Sequence, residues 1–260
     1  LAEETGLIMD LDAWVLRQAC AQLARWRAAH PALADLSMNV NVDERQMVSP
    51  DIVDEVLSLL RKHQLPPACL RLEVTETAFR AGRGQAEQRL LSLKALGVGL
   101  VVDDFGTGYS SLESFAASPF DALKIDQVFI RDIESNPRHR AIVRTITAFA
   151  DELGLALTAE GIETQGQQAL LKALGCRYGQ GYALGRPMPL DDLMTRLRVQ
   201  RDRGEPLAAP FAEMPMALHV VLAEFDLSLT RLQSLAPGDS IPLAMGRQVP
   251  LVLDIFTRKD

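Results

Sequence analysis

The 260-residue chain is poor in the residues that several common site chemistries need. It has only three cysteines, Cys20, Cys69 and Cys176, and four histidines. The cysteines are odd in number, far apart and without metal-ligand spacing. That argues against a disulfide framework or a thiolate zinc site and predicts buried free thiols. Positive charge is not in excess: 27 Lys and Arg stand against 34 Asp and Glu, for a formal net charge of −7. A non-specific binder of a nucleic-acid polymer needs the opposite balance. A small phosphate ligand held through metal ions stays compatible with it. No apolar run approaches the roughly 20 residues of a membrane span. No signal-peptide pattern is visible, and because Leu1 is not an initiator methionine, the natural chain is expected to extend upstream. What is present, 48% hydrophobic and 23% charged residues, is an ordinary globular composition.

Up to about residue 200, strand and helix patterns alternate. The first helix sets Leu11, Val15, Ala19, Leu23 and Trp26 on one face. Strands are predicted at 36–42, 70–74, 99–103, 121–125, 155–160 and 178–181. Between them the pattern predicts a helix with Ser49 as N-cap and Pro50 in its first turn, a helix ending at Leu96, and a short helix from Ser110. Further helices are predicted over 138–153, from Thr164, and from about Leu190. Three helix exits repeat one solution: "LKALG" at 93–97 and 171–175 and "DELG" at 151–154 each place glycine where a left-handed cap leads into a strand. Strand starts recur about every 30 residues, the repeat of a (β/α)8 barrel. The predicted fold class is therefore α/β, a modified (β/α)8 TIM-like barrel over residues 1–198, N-terminally incomplete, with about two further strands expected before Leu1. Residues 199–216, rich in proline, alanine and charge, read as a linker, and 217–260 as a separate small β-rich tail.

The polar residue at the C-terminal end of each predicted strand carries the functional signal. In order these are Asn41, Glu73, Asp103 with Asp104, Lys124, Glu160 and Gln180. Strand ends of a (β/α)8 barrel converge on one face, which holds the active site. Four carboxylates and an amide oxygen, without His or Cys, form a hard-oxygen donor set suited to Mg²⁺ or Mn²⁺. Adjacent strand residues point to opposite sides, so Asp104 joins Asp103 only if the chain bends, and "FGTG" is the expected bend. One aspartate then bridges two cations while its neighbour holds the second, the arrangement that activates water against a phosphoester. Lys124 has two readings at this stage: orienting the water or neutralising a phosphoryl oxygen, or pairing with an acid for stability. Glu76 and Glu163 each follow a rim glutamate by three residues and by default cap the next helix. Arg186-Pro187 either meets an anionic ligand or begins a turn.

Seven blocks, "LAEETGLI", "MNVNVDERQM", "LRLEVTET", "VVDDFGTGYSSL", "LKIDQVFI", "TAEGIET" and "GQGYALGRP", together resemble the EAL-domain cyclic-di-GMP phosphodiesterases over residues 1–198. The resemblance implies a modified barrel that cleaves cyclic di-GMP to linear pGpG with two Mg²⁺ or Mn²⁺ ions in the bacterial cytoplasm. It implies Asn41, Glu73, Asp103, Asp104 and Glu160 as metal ligands and Lys124 as the contact to the catalytic water. It likewise implies Glu76 as the support of the loop after Asp103-Asp104, Glu163 as the second acid of its block, and Gln180 as part of the substrate pocket. Asn41 is chosen over Asn39 because it keeps nine residues to Pro50 without a gap and alternates with Met38 and Val40. Two departures stand out. Asp43 replaces the usual serine of the Asn block, and the Glu-Ala-Leu signature, whose glutamate is a metal ligand in the family, is not among these residues. The tail segment "LSLTRLQSLAPGDSIPL" is similar to SpoA-like modules of flagellar and type III secretion C-rings, which implies a docking partner there. A homodimer is a further partner expectation.

Overall fold

Alternating apolar positions in short strands, and apolar stripes on the helices between them, leave one economical arrangement: a parallel sheet with helices packed on its outer face. The computed structural model describes residues 7–29, 36–81, 84–108, 115, 118–189, 218–221 and 252–257. Helix α1 (Leu7–Ala29) precedes strand β1 (Leu36–Asn41), and Val15, Leu16, Ala19, Leu23 and Trp26 of α1 are buried. Then follow α2 (Glu44–Val48), α3 (Ile52–His63), β2 (Leu70–Thr75), α4 (Glu76–Ala81) and α5 (Gln85–Ala95). Strand β3 (Gly99–Phe105), β4 (Ala122–Ile125), α6 (Pro137–Glu152), β5 (Ala156–Ala159), α7 (Gln165–Ala173) and the two-residue β6 (Tyr178–Gly179) continue the alternation.

All six predicted strands are present, and β1 to β6 pair in parallel and in sequence order. The glycine exits are as expected: Gly97, Gly154 and Gly175 have φ of 90°, 69° and 94°. Thr164 caps α7 through a reciprocal capping box with Gln167. The helix predicted from Ser49 begins instead at Ile52, because Ser49 closes the short helix α2 and its hydroxyl accepts from the Asp51 amide. The helix predicted to end at Leu96 is two helices, α4 and α5, with Gly84 at the N-cap of the second. The helix starts predicted near Ser110 and Leu190, and the linker 199–216, lie outside the described residues.

Three further strands join the same sheet: β7 (Met188–Pro189), β8 (Leu218–Val221) and β9 (Val252–Thr257). The strand order is β6-β5-β4-β3-β2-β1-β9-β8-β7. Strand β9 runs antiparallel along the edge of β1 left free by β2, and β8 runs antiparallel to β9. The three thiols are free and buried, and burial pushes Cys20 up to about 12 and Cys176 up to about 11, so neither is a nucleophile.

Candidate metal centre

In parallel pairs, residues in register share a face of the sheet. Asn41 stands opposite Glu73, Thr75 opposite Asp103, and Lys124 opposite Thr158. Strand alternation carries Glu160 to the face of Thr158, and its amide still donates to Ile125 O at 3.1 Å. Gln180 continues the ladder in the same way, its amide donating to Ala159 O at 2.8 Å. The strand ends therefore deliver their polar residues to one rim by register alone.

Lys124 is the hub of that rim. It is only 2% exposed, and its Nζ lies 2.6 Å from Glu160 Oε1, 3.1 Å from Glu73 Oε2 and 3.4 Å from Asp103 Oδ1. A lysine this deep costs several kcal/mol of desolvation unless opposite charge surrounds it. Here carboxylates from β2, β3 and the end of β5 converge on a residue of β4, so the parallel sheet curls around it. Glu73 is equally buried and also accepts from Asn39 Nδ2 at 2.6 Å.

The bend at the aspartate pair lies one residue earlier than "FGTG". Asp104 itself has a left-handed φ of 54°, and the β3–β4 register shifts between Val102 and Phe105. This is a β-bulge, which re-aims a side chain that strict alternation would send to the other face. Aspartate tolerates this conformation better than most residues, because its short polar side chain bonds locally. Asp104 N–H in fact donates to Asp103 Oδ1 at 3.0 Å. Phe105 holds the bulge from behind, buried against Phe115 and Phe149 at centroid separations of 5.1 and 6.2 Å. Glu76 holds it from the side: its Oε2 accepts from Gly106 and Gly108 amides at 3.0 and 3.2 Å. A Cβ on Gly108 would lie 2.6 Å from Glu76 Oε1, so any larger residue there would have to displace the Glu76 carboxylate.

The outcome is that Asp103, Asp104 and Glu160 each offer a carboxylate oxygen, all within 4.8 Å of one another. Asp104 is pushed up to about 6, first by its burial, then by Asp103 and by the hydrogen bond and charge of Asp126, against the pull of Lys124. Asp126 was not among the residues picked from the sequence. Its signal was available: it follows Lys124 by two residues, the period that keeps strand residues on one face. It also accepts from Val128 N–H at 2.6 Å, capping a single 3₁₀ turn.

The remaining predicted residues divide. Asn41, at the end of β1, is exposed and in register with Glu73, whereas Asn39, one position deeper on the same face, makes the hydrogen bond to Glu73. Gln180 is buried at the end of β6. Glu163 is exposed, and its amide donates to Gln167 Oε1 at 2.7 Å. Arg186 sits with its guanidinium 4.7 Å from the ring centroid of the exposed Tyr182, a cation–π pair.

The donor set fits hard divalent cations. Its clustered groups are all oxygen donors, and one of them is a buried orphan: Asn39 Oδ1 has no hydrogen-bond partner among the described residues, although its amide nitrogen is held against Glu73. One lysine faces the carboxylates of Glu73, Asp103, Asp104 and Glu160, with Asp126 beside Asp104, an imbalance that added positive charge relieves.

Comparison with known proteins agrees. The family model described as the EAL domain matches residues 1–187. The bifunctional diguanylate cyclase/cyclic di-GMP phosphodiesterase MucR of Pseudomonas aeruginosa is 43% identical over 195 residues, 75% of this chain and 28% of MucR. The cyclic di-GMP phosphodiesterase NbdA of the same species is 43% identical over 209 residues, 80% of this chain and 26% of NbdA. The chain thus spans about a quarter of the length of these relatives. The solved structure of the PaMucR phosphodiesterase in its c-di-GMP complex superposes with a TM-score of 0.71 at 42% identity, covering 74% of this chain and 77% of that one. Klebsiella pneumoniae BlrP1 in a manganese and cyclic-di-GMP complex superposes with a TM-score of 0.60 at 29% identity, covering 68% of this chain and 43% of that one. The seven sequence blocks, the curled parallel sheet with its acidic rim and these matches lead to one conclusion: the chain belongs to the EAL domain family.

Proposed function

We propose that this barrel is the catalytic domain of a bacterial phosphodiesterase that hydrolyses cyclic di-GMP to linear pGpG with the help of two divalent cations, Mg²⁺ or Mn²⁺. The observation that carries the reading is the convergence of Asp103, Asp104 and Glu160 within 4.8 Å, beside a buried lysine. MucR and NbdA, named as cyclic di-GMP phosphodiesterases, support the substrate, and the manganese complex of BlrP1 supports the cation class.

Asp103, Asp104, Glu160 and Glu73 would hold the cations, with Asn39 or Asn41 adding an amide oxygen. When bound, such ions lower the pKa of water and neutralise charge building up on a phosphoryl group. The product pGpG carries a 5′-phosphate, so the bond that breaks runs from phosphorus to a ribose 3′-oxygen. A water oxygen forms the new bond to phosphorus, and a proton ends on the leaving 3′-oxygen. Lys124 Nζ, held by three carboxylates, would supply a donor that orients the attacking water. Glu76 acts through the backbone, keeping the Gly106–Gly108 turn in the shape that places Asp104. Gln180, at the end of β6, and Arg186, beside Tyr182, are the groups proposed for the rest of the ligand. Among the described residues no helix is long and apolar enough to cross a membrane. With its free buried thiols, the domain suits the bacterial cytoplasm.

The test is incubation of the full chain with cyclic di-GMP and Mn²⁺ or Mg²⁺, with separation of the nucleotides. The expected result is pGpG from the native chain and none from Glu73→Gln. Metal-dependent binding without product would make the domain a receptor, and neither binding nor product would remove the reading.

A further inference from the structure

Asp103 and Asp104 lie at the end of β3 and Glu160 just beyond β5, so two separate loops carry the carboxylates that converge. The strand between them, β4, leaves through the 3₁₀ turn Gln127–Phe129, and this turn touches both loops. On one side Phe129 covers Gly106, where an added Cβ would lie 2.9 Å from Phe129 Cε2. On the other side Gln127 covers Gly161, where an added Cβ would lie 2.5 Å from Gln127 Cβ. The turn is a wedge, and its two faces set how closely the loops approach.

A wedge sets a spacing only if something draws the loops onto it. Gln167, in the first turn of α7, does so on the Glu160 side. It is 4% exposed, and its Oε1 accepts from the Glu163 and Thr164 amides at 2.7 and 3.0 Å. Its Nε2 donates to the Ile130 and Arg131 carbonyls at 3.2 and 3.1 Å. Two N–H groups on one side and two carbonyls on the other fix the orientation of this amide. The bond to Thr164 completes the capping box of α7. The two bonds from Nε2 lie outside that motif, and both cross to the chain that continues the wedge. We infer that Gln167 is a positioning residue of the cation site: it clamps the Glu160 loop onto the turn after β4, fixes the spacing of Glu160 from Asp103 and Asp104, and so sets the choice among divalent cations. The inference deepens the cation reading above and rests on it. Mg²⁺ demands near-ideal octahedral geometry, whereas Ca²⁺ accepts a looser and more variable shell. Releasing the clamp therefore costs Mg²⁺ more than Ca²⁺.

Glutamate at position 167 keeps the acceptor that the capping box needs but has no donor for Ile130 and Arg131. The test titrates the full 260-residue chain with Mg²⁺ alone and with Ca²⁺ alone by calorimetry. Gln167→Glu is expected to weaken Mg²⁺ binding about tenfold or more and Ca²⁺ binding about threefold or less. Gln167→Met, which adds no charge, should shift the ratio of the two affinities in the same direction. Gly97→Ala, strained at the far end of the sheet, should leave that ratio as it is. An equal shift in Gly97→Ala would assign the effect to stability and overturn the inference. An unchanged ratio in both Gln167 variants removes the clamp and leaves the cation site standing. If the native chain binds neither ion, the cation site is wrong and this inference falls with it. Should the Gln167 variants fail to fold, hydrogen exchange of the native chain in EDTA decides. The Glu163 and Thr164 amides should then exchange as slowly as the interior of α7, and exchange at the rate of an open loop overturns the clamp.

Discussion

The two ends of the parallel strands carry different loads. At the end where helices return to the sheet, Gly97, Gly154 and Gly175 take the left-handed conformations that glycine adopts without strain. Around them the chain is capped and the Lys94–Asp121 pair is balanced in charge. At the other end Gly106 and Gly161 are left-handed too, but so is an aspartate inside β3, a lysine is buried among carboxylates, and an amide oxygen is orphaned. The last three oppose stability, and all lie within one cluster. The difference teaches that one end is built for folding and the other for holding charge that the fold alone does not balance.

The largest test of this contrast is Lys124→Ala. It should lower pGpG formation by about a hundred- to a thousandfold, the usual cost of removing one positioned donor. It should also lower stability in EDTA by about 3–5 kcal/mol, because three carboxylates lose their buried partner. Urea unfolding with saturating Mg²⁺ should show a smaller loss, and an equal loss in both conditions would contradict a cation site. Next in size is metal removal itself. Cyclic di-GMP carries two negative charges and the rim is acidic, so EDTA should weaken binding on the order of a hundredfold. Equal affinity in EDTA would break the picture.

At the opposite end, Gly97→Ala should cost about 1–2 kcal/mol in urea unfolding, since the left-handed φ of 90° is retained with a Cβ. Its kcat should be unchanged, and a loss of turnover would show that the two ends are coupled. Asp104→Asn inverts that result. Asparagine keeps the left-handed position and removes repulsion from Asp103, so metal-free stability at pH 7 should rise by about 1 kcal/mol or less while turnover falls. The smallest effect is expected at Asp12, behind the rim, which accepts from the Asp43 amide at 3.0 Å and is pushed up to about 6 by burial. A raised acid pKa means that the folded state binds the extra proton between about pH 4 and 6. Asp12 therefore destabilises above that window and is relieved below it. Asp12→Asn should raise the Tm by a few degrees at pH 7 and by nearly nothing at pH 4, and a gap independent of pH would remove this assignment.

The parts legible in the sequence were the local ones. Six strands, the glycine exits and the polar residue at each strand end follow from apolar period, capping chemistry and the βα repeat, all carried by residues close together in the chain. The displaced start of α3 shows the limit of this, because Ser49 and Pro50 form a good start signal that the short helix α2 used as its exit. The centre was legible as a set of residues and not as a geometry. Asp126 was overlooked because it also caps a turn, which looks like a sufficient reason for an aspartate. Asn39 and Asn41 share a face, and only the depth of the curled sheet makes Asn39 the partner of Glu73.

By itself, then, the sequence determined the order of the elements, the parallel sheet and an oxygen-rich, cysteine-free rim, because period and residue type act over a few positions. Tertiary structure alone decided three further things: that the bend begins at Asp104, ahead of the glycines, that one lysine gathers acids from three other strands, and that the last strand covers the edge of the first. Those depend on register between segments far apart in the chain. A one-residue slip leaves the composition of every strand unchanged and sends each side chain to the other face.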